Sequence, residues 1–486
     1  MSMGRHESNQ GSMWVAYNEI QGGPGHRFYE KLNELLREAK FDRKIEDLCA
    51  AYFDADHTPG RRSIPPGTYF RMHLIGYFEG IESERGIEWR CADSISLREF
   101  LGLDLTDRVP DHSTLSRMRS RLPLEVHQQA FLLILSIVEQ KGLLRGRVAG
   151  VDSTFLRADA SMKAIVRRDT SESYPEFIKR LAEESGIENP TEEDARRFDR
   201  SRKGKKTSNK DWKSTTDSGA RIMKLKDGRT RMAYKPEHVV DLETGALVGV
   251  VVHSAERSDM TTIEETLNVA QENLRELRDV ESSEREDDDI DDNAPPGASV
   301  SGGTTGGIQS VVADKGYSKA EVLRQLKESG FRTYIPERRQ KGTRKWTNKG
   351  GRKTAAAFYE NRARVGRKKG KALQRKRGEL VERTFARICE TGAARRTCLR
   401  ADTHRQARLR GLCNVNKRYL IQASGANLGL VMRSLLGRGT PRGLAEVLRT
   451  LALAVSCCIF QRRTAASVLG VLLAKPGLLR VASPAV

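Results

Sequence analysis

Cysteine is scarce in this 486-residue chain: there are seven, an odd number, and no two are spaced as Cys-x-x-Cys. Neither a disulfide framework nor a cysteine-based zinc site is suggested, and a reducing cytosol fits. Long apolar runs are also missing. The longest, Leu451–Phe460, is bounded by Arg449 and by Arg462 and Arg463. A membrane span needs roughly 20 apolar residues, so this run reads as a packed helix and no membrane association is expected. Met1 to Ser12 is polar and has no apolar signal core. Acid is in deficit as well: 64 Asp and Glu face 85 Lys and Arg, a net charge of +21. A surplus of that size favours a polyanionic partner, nucleic acid being the commonest.

The N-terminal part reads as helical and sets residues 1–145 apart as an all-α domain. Phe28, Leu32, Leu35 and Leu36 mark an amphipathic helix. Ser63-Ile-Pro-Pro suits a first helical turn, and Ser96-Leu-Arg-Glu99 has the form of a capping box ahead of Phe100. After Pro110, Asp111 or Ser113 can cap a short helix studded with Arg117, Arg119 and Arg121. That helix is either the second of a helix-turn-helix or the solvated face of a small bundle.

From residue 146 the pattern changes. Val148-Ala-Gly-Val-Asp152 reads as a buried strand, and 159–230 as a polar, partly helical insertion. Ala233–Asp241 and Ala246–His253 form a hairpin through Leu242-Glu-Thr-Gly245. A helix follows over Thr261–Leu277, capped by Asp259. Residues 281–307 are acidic, then rich in Gly, Ser and Pro, and read as a disordered loop. Val311-Val-Ala-Asp314 is a second strand ending in Asp. A helix closed by Gly330, a short strand at Arg332–Ile335 and a basic segment come next. Between Arg338 and Arg377 there are seventeen Lys or Arg and one acid. A helix from about Ala372 to Glu390 follows, this second domain ends near 436, and 437–486 form a helical tail. Strands that first meander and then alternate with helices suit a mixed sheet with helices on its faces.

Two aspartates thus end two apolar strands. A carboxylate there is costly to bury unless it is paired or bound to a cation, and strand ends are where open α/β sheets place ligands. With a third acid from a helix, two such groups can hold two Mg²⁺ or Mn²⁺ ions. Glu382, in Leu380-Val-Glu-Arg-Thr-Phe, is the candidate third acid, with Glu379 as its rival. Asp241 reads as the solvent end of a hairpin strand, Asp259 as a helix cap and Asp159 as a supporting residue. Arg344, Lys345, Lys349, Arg352, Lys353, Arg367, Lys368, Lys369, Lys371, Arg375, Arg383 and Arg387 are candidates for gripping DNA phosphates, with Arg117, Arg119 and Arg121. Trp346, Phe358 and Tyr359 either stack on unpaired bases or anchor the basic segment. Gly366-Arg-Lys-Lys-Gly-Lys-Ala departs from a phosphate loop in its spacing and in Ala372, so nucleotide hydrolysis is not expected.

Gly150-Val-Asp-Ser-Thr-Phe-Leu, Val166-Arg-Arg-Asp, Val312-Ala-Asp-Lys-Gly-Tyr, Arg377-Gly-Glu-Leu-Val-Glu-Arg-Thr-Phe and Asn427-Leu-Gly resemble bacterial insertion-sequence transposases of the DDE type. The resemblance spans roughly residues 27–445. It implies a ribonuclease H-like α/β catalytic core of mixed sheet and flanking helices, preceded by an all-α domain that binds element ends or supports assembly. It matches Asp152, Asp314 and Glu382 to the two aspartates and the glutamate, and implies two Mg²⁺ or Mn²⁺ ions. It further implies double-stranded DNA as partner, a homodimer in the DNA complex, and a bacterial cytoplasmic, nucleoid-associated location. The separations are 162 residues between the aspartates and 68 from Asp314 to Glu382, the first lengthened by the two insertions. Many relatives carry Tyr-x₂-Arg-x₃-Glu-x₆-Lys, whereas Arg375, Gly378 and Cys389 hold those places around Glu382. A DNA-binding relative without catalysis, or a nuclease without strand transfer, are the other readings.

Overall fold

The computed structural model describes residues 24–53, 63–203, 207–225, 228–288, 307–338, 346, 351–394, 409–446 and 450. The apolar run Leu451–Phe460, the Gly/Ser/Pro stretch from 289 to 306, and Arg344, Lys345 and Lys349 lie outside them.

Among the described residues seven α-helices come first: α1 Pro24–Glu38, α2 Phe41–Cys49, α3 Pro66–Glu79, α4 Glu84–Ala92, α5 Ile95–Phe100, α6 His112–Arg121 and α7 Leu124–Gln140. Pro66 opens α3, where its missing N–H costs nothing, and Gly80 closes it in the left-handed region at φ 69°. The capping-box reading of Ser96 is corrected: α5 starts two residues earlier, after Ser94. Asp111 caps α6, accepting from Thr114 N at 2.7 Å.

The core follows with β1 Val148–Ser153, β2 Leu156–Arg157 and β3 Ile165–Arg167, then α8 Tyr174–Glu184 and α9 Glu192–Ser201. Next come β4 Trp212–Ser214, β5 Arg221–Lys224, β6 Thr230–Asp241 and β7 Leu247–Ser254. The stretch read as an insertion is therefore built: β3 and β4 pair with each other, while β5, like β2 just before the stretch, joins the main sheet. Then come α10 Asp259–Asp288, β8 Ser310–Ala313, α11 Ala320–Glu328, β9 Arg332–Tyr334, α12 Gly351–Gly366, α13 Lys368–Ala386 and α14 Leu412–Leu436. Two boundaries are corrected. The helix after β7 runs on to Asp288, past the Leu277 expected from its apolar spacing. The basic segment is helical from Gly351, and α13 begins at Lys368 and ends in a π turn over Arg387–Thr391.

The main sheet is mixed. β1 lies between β6, antiparallel to it, and β8, parallel to it; β9 extends the parallel side and β7 pairs with β6. Side chains alternate between faces along a strand, and the partners divide accordingly. On β6, Lys235 and Glu237 reach α10, while His238 bonds Thr384 of α13 and Tyr419 of α14, both at 2.9 Å. Helices thus cover both faces. Gly249 of β7 lets α10 approach closely: a Cβ there would stand 2.8 Å from Ala270 Cβ.

One apolar cluster joins the N-terminal helices to the sheet, running through Phe28, Leu135, Val151, Leu267 and Val431. α14 makes the join. Its buried residues lie all round its axis, as in a helix enclosed by protein, and it packs on α7, α3 and β7. Asn427 fastens it to the sheet, its side-chain amide donating to Leu247 O and accepting from Leu247 N at 2.9 Å each. Asn361 of α12 does the same to Ile335 after β9, at 2.8 and 3.0 Å.

Candidate active site

β1 and β8 run parallel with Val151 opposite Ala313, so the next residues, Asp152 and Asp314, follow side by side where that pairing ends. Asp152 also stands opposite His238 on β6 and shares its face, toward α13. There Arg377 Nη1 donates to Asp152 Oδ2 at 2.6 Å, and Asp152 Oδ1 accepts from Ser153 N at 2.8 Å. Burial pushes the Asp152 carboxyl above its ordinary value. Arg377 pulls it back, and the charge of Asp314 adds to the upward push.

Asp314 caps the short turn Lys315–Tyr317, accepting from Gly316 N at 2.5 Å. The glycine is required by close approach: a Cβ on Gly316 would lie 2.6 Å from Asp314 Oδ1 and 2.9 Å from Asp259 Oδ2. Asp259 therefore flanks the same turn. It opens α10, as expected, but its side chain is spent on other groups: Ser153 Oγ donates to Asp259 Oδ1 at 2.9 Å, and Lys235 Nζ at 3.2 Å. Arg338 holds the turn from outside through Lys315 O and Gly316 O, at 3.0 and 2.7 Å.

α13 lies across the strand ends. Gln374 Nε2 donates to Ala313 O at 3.1 Å and Tyr334 O at 2.5 Å. Val381 packs toward β1, where a Cβ on Gly150 would stand 3.0 Å from Val381 Cγ2. Glu382 is one step further, about 100° around the axis, and is exposed. Glu379 is exposed too and pairs with Arg383 at 2.7 Å. The structure thus brings Asp152 and Asp314 together and leaves Glu382 on the flank of α13. Among the described residues no three His, Cys, Asp or Glu side chains are grouped closely enough to hold an ion.

Two of the rival acids take other places. Asp241, expected at the solvent end of its strand, is fully buried. It accepts from Arg145 N at 2.8 Å, Gly146 N at 3.2 Å, Glu243 N at 2.9 Å and Thr244 Oγ1 at 2.9 Å. It fixes the entry to β1 and the hairpin turn. Asp159 accepts from Arg410 at 3.2 Å.

Comparison with known families matches residues 17–121 to the family described as Transposase domain (DUF772), and residues 194–416 to the Transposase DDE domain. Together they span about two thirds of the chain. The chain belongs to the insertion-sequence DDE transposases. No curated protein and no solved structure matches it. The DDE match includes Asp314 and Glu382; Asp152 lies between the two matched regions. The helical N-terminal part and the mixed sheet flanked by helices agree with a ribonuclease H-like α/β core. No helix among the described residues is long and apolar enough to cross a membrane.

The transposase family works with divalent metal, and the donor chemistry at the strand ends fits such an ion. Two carboxylates stand next to one another, one of them desolvated and already drawing a cationic guanidinium. Like charges so placed are stabilised by a cation, and hard oxygen donors suit Mg²⁺ or Mn²⁺.

The basic residues divide by environment. Arg352, Lys353, Arg367, Lys368, Lys369, Lys371, Arg375 and Arg383 are exposed along α12 and α13, and Arg387 is partly buried. In α6, Arg117 and Arg121 are exposed, but Arg119 is a correction: it turns inward and pairs with Glu84 of α4. It serves as a structural ion pair between helices, so the basic face there is narrower than the sequence suggested. Trp346 packs on Phe358 and Tyr359 with ring centroids 5.5 and 6.0 Å apart, and Phe358 is buried. Those contacts favour anchoring over base stacking for Trp346 and Phe358, whereas Tyr359 stays exposed.

Proposed function

We propose that this transposase cuts at the ends of an insertion sequence and joins the freed 3′ ends to target DNA, with Asp152 and Asp314 as the metal-holding pair and Glu382 as the third acid. The observation that carries the reading is the parallel β1–β8 pairing, which sets two carboxylates side by side beneath a strongly basic helix. Transposase families act on DNA, and the exposed cations of α12 and α13 supply a surface for its backbone.

In the first step a water oxygen forms a bond to phosphorus and the P–O3′ bond breaks, the proton passing to the 3′ oxygen. In the second, that 3′-hydroxyl attacks a target phosphorus and displaces the target's own 3′ oxygen. A bound divalent cation supplies Lewis-acid stabilisation of the charge on the phosphate oxygens. Asp152 and Asp314 would hold it. Arg377, which pairs with Asp152 in the absence of metal, would be free to pair with a phosphate once a cation took its place. Glu382, exposed on the flank of α13, would complete the site if bound DNA drew that helix inward. Because two element ends must be held together, the active species is a homodimer.

The test uses labelled donor ends and a supercoiled target with Mg²⁺ or with EDTA. Joined product supports the transposase reading. Cleavage alone would make the chain a nuclease, and DNA retention alone a binding protein. Full cleavage by Asp152→Ala would remove Asp152 from the site.

A further inference from the structure

Behind the carboxylate pair, on the opposite face of the sheet, lies a buried polar network. Ser153 stands opposite Glu237 and shares its face, toward α10. Lys235 and Glu237, two residues apart on β6, are 1% and 0% exposed. Glu237 accepts from Tyr317 Oη at 2.6 Å, Thr262 Oγ1 at 3.1 Å and Thr266 Oγ1 at 2.5 Å. His253 Nε2 donates in turn to Thr266 Oγ1 at 2.8 Å. Lys235 Nζ donates to Thr262 Oγ1 at 3.0 Å and to Asp259 Oδ1 at 3.2 Å. Burying one carboxylate and one ammonium is expensive, and every group in the network is bonded, as such a network must be to hold a fixed geometry.

Two bonds leave this network toward the candidate acids. One runs from Ser153, directly after Asp152, to Asp259. The other runs from Tyr317, at the end of the turn that Asp314 caps, to Glu237. Burial and the surrounding carboxylates push the Tyr317 hydroxyl well up, so it remains a donor. Each strand end is thereby tied down from the face opposite α13, onto β6 and the first turns of α10, which are themselves packed together.

We propose that Glu237, Tyr317 and Asp259 are positioning residues that set the spacing of Asp152 and Asp314 for cation binding. This rests on the reading of those two aspartates as the cation site. Groups that orient metal ligands from behind typically govern affinity by 10–100-fold. The geometry predicts that loss of either outward bond lets one strand end drift, while the fold itself persists.

The experiment measures Mn²⁺ affinity of the full chain without DNA, from the electron paramagnetic resonance of free Mn²⁺, with thermal unfolding in EDTA alongside. Tyr317→Phe and Ser153→Ala each remove one hydroxyl; both should weaken Mn²⁺ binding by about 10-fold or more while unfolding changes little. Glu237→Gln keeps an acceptor for Tyr317 and should stay closer to the wild type than Tyr317→Phe. Asp152→Asn is the control. If Asp152→Asn abolishes binding while Tyr317→Phe and Ser153→Ala bind as the wild type, the positioning role is overturned and the site stands. It is likewise overturned if the loss of affinity only follows a loss of stability. If Tyr317→Phe fails to fold, Ser153→Ala decides by the same readout. If Asp152→Asn binds Mn²⁺ normally, the site reading itself fails, and the positioning role with it.

Discussion

Arg377 Nη1 lies 2.6 Å from Asp152 Oδ2, a bond that joins α13 to the end of β1 across 225 residues of chain. The Arg377 side chain is 13% exposed and that of Asp152 is 24% exposed, so the pair is shielded from much of the screening that weakens surface ion pairs. A cation and an arginine would compete for the same oxygen.

That competition sets the first expectation. Arg377→Met removes the guanidinium and leaves Asp152 beside Asp314 with no neutralising partner. Without metal the variant should be less stable by roughly 2–3 kcal/mol in urea unfolding, because one half of a mostly buried pair is lost. Its Mn²⁺ affinity should rise. Equal or weaker Mn²⁺ binding would show that Arg377 does not occupy the cation's place.

Glu382 and Glu379 can be separated directly. Glu382→Gln should reduce cleavage of donor ends to background while DNA retention and unfolding stay unchanged. Glu379→Gln, which costs only an exposed pair with Arg383, should keep activity. The opposite pattern would transfer the third-acid role to Glu379.

Acid should destabilise the protein before its carboxylates titrate. Burial holds His238 down to about 3 and His127 to about 4, and His73 also lies well below the ordinary histidine value. Each is neutral in the fold and protonates near pH 6.5 when unfolded. The unfolded state therefore binds more protons between about pH 6.5 and 4. Stability is full above that window and falls as pH drops through it, by up to about 1.4 kcal/mol per pH unit for each group. Urea midpoints at pH 7.5 and 5 should show the loss, and His238→Gln should flatten the slope. A pH-independent midpoint across that range would contradict the burial of these rings.

DNA affinity should depend steeply on salt. Lys368, Lys369 and Lys371 are exposed at the start of α13. Replacing Lys368 and Lys371 together by Glu should weaken binding of any duplex. The slope of log K against log salt should shrink by about 0.9 for each phosphate that is no longer neutralised. Anisotropy at several salt concentrations reads this, and an unchanged slope would place the DNA elsewhere.

Much of the sheet was legible because its strands are apolar and bounded by clear turns. Val148–Val151 and Val311–Ala313 each end in an aspartate, and the 233–253 hairpin turns at Gly245. Residues 159–230 hid three short strands because their pairing partners are distant or brief: β5 bonds to β6, and β3 to β4. The buried pair Lys235 and Glu237 was missed, although charges at alternate positions of a strand with buried neighbours were a visible signal. Arg119 and Arg117 look alike in sequence, and only the approach of α4, carrying Glu84, distinguishes them.

The residue order alone determined the main helices and the principal sheet strands, the strongly cationic surface and the two aspartates at strand ends, since these depend on local periodicity and charge. Contacts between distant segments decided the rest. The parallel register of β1 with β8 put the aspartates beside each other, the packing of α13 gave Asp152 its arginine and turned Glu382 outward, and α14 fused the helical part to the sheet. Such contacts depend on which faces meet in three dimensions, and no local pattern encodes that.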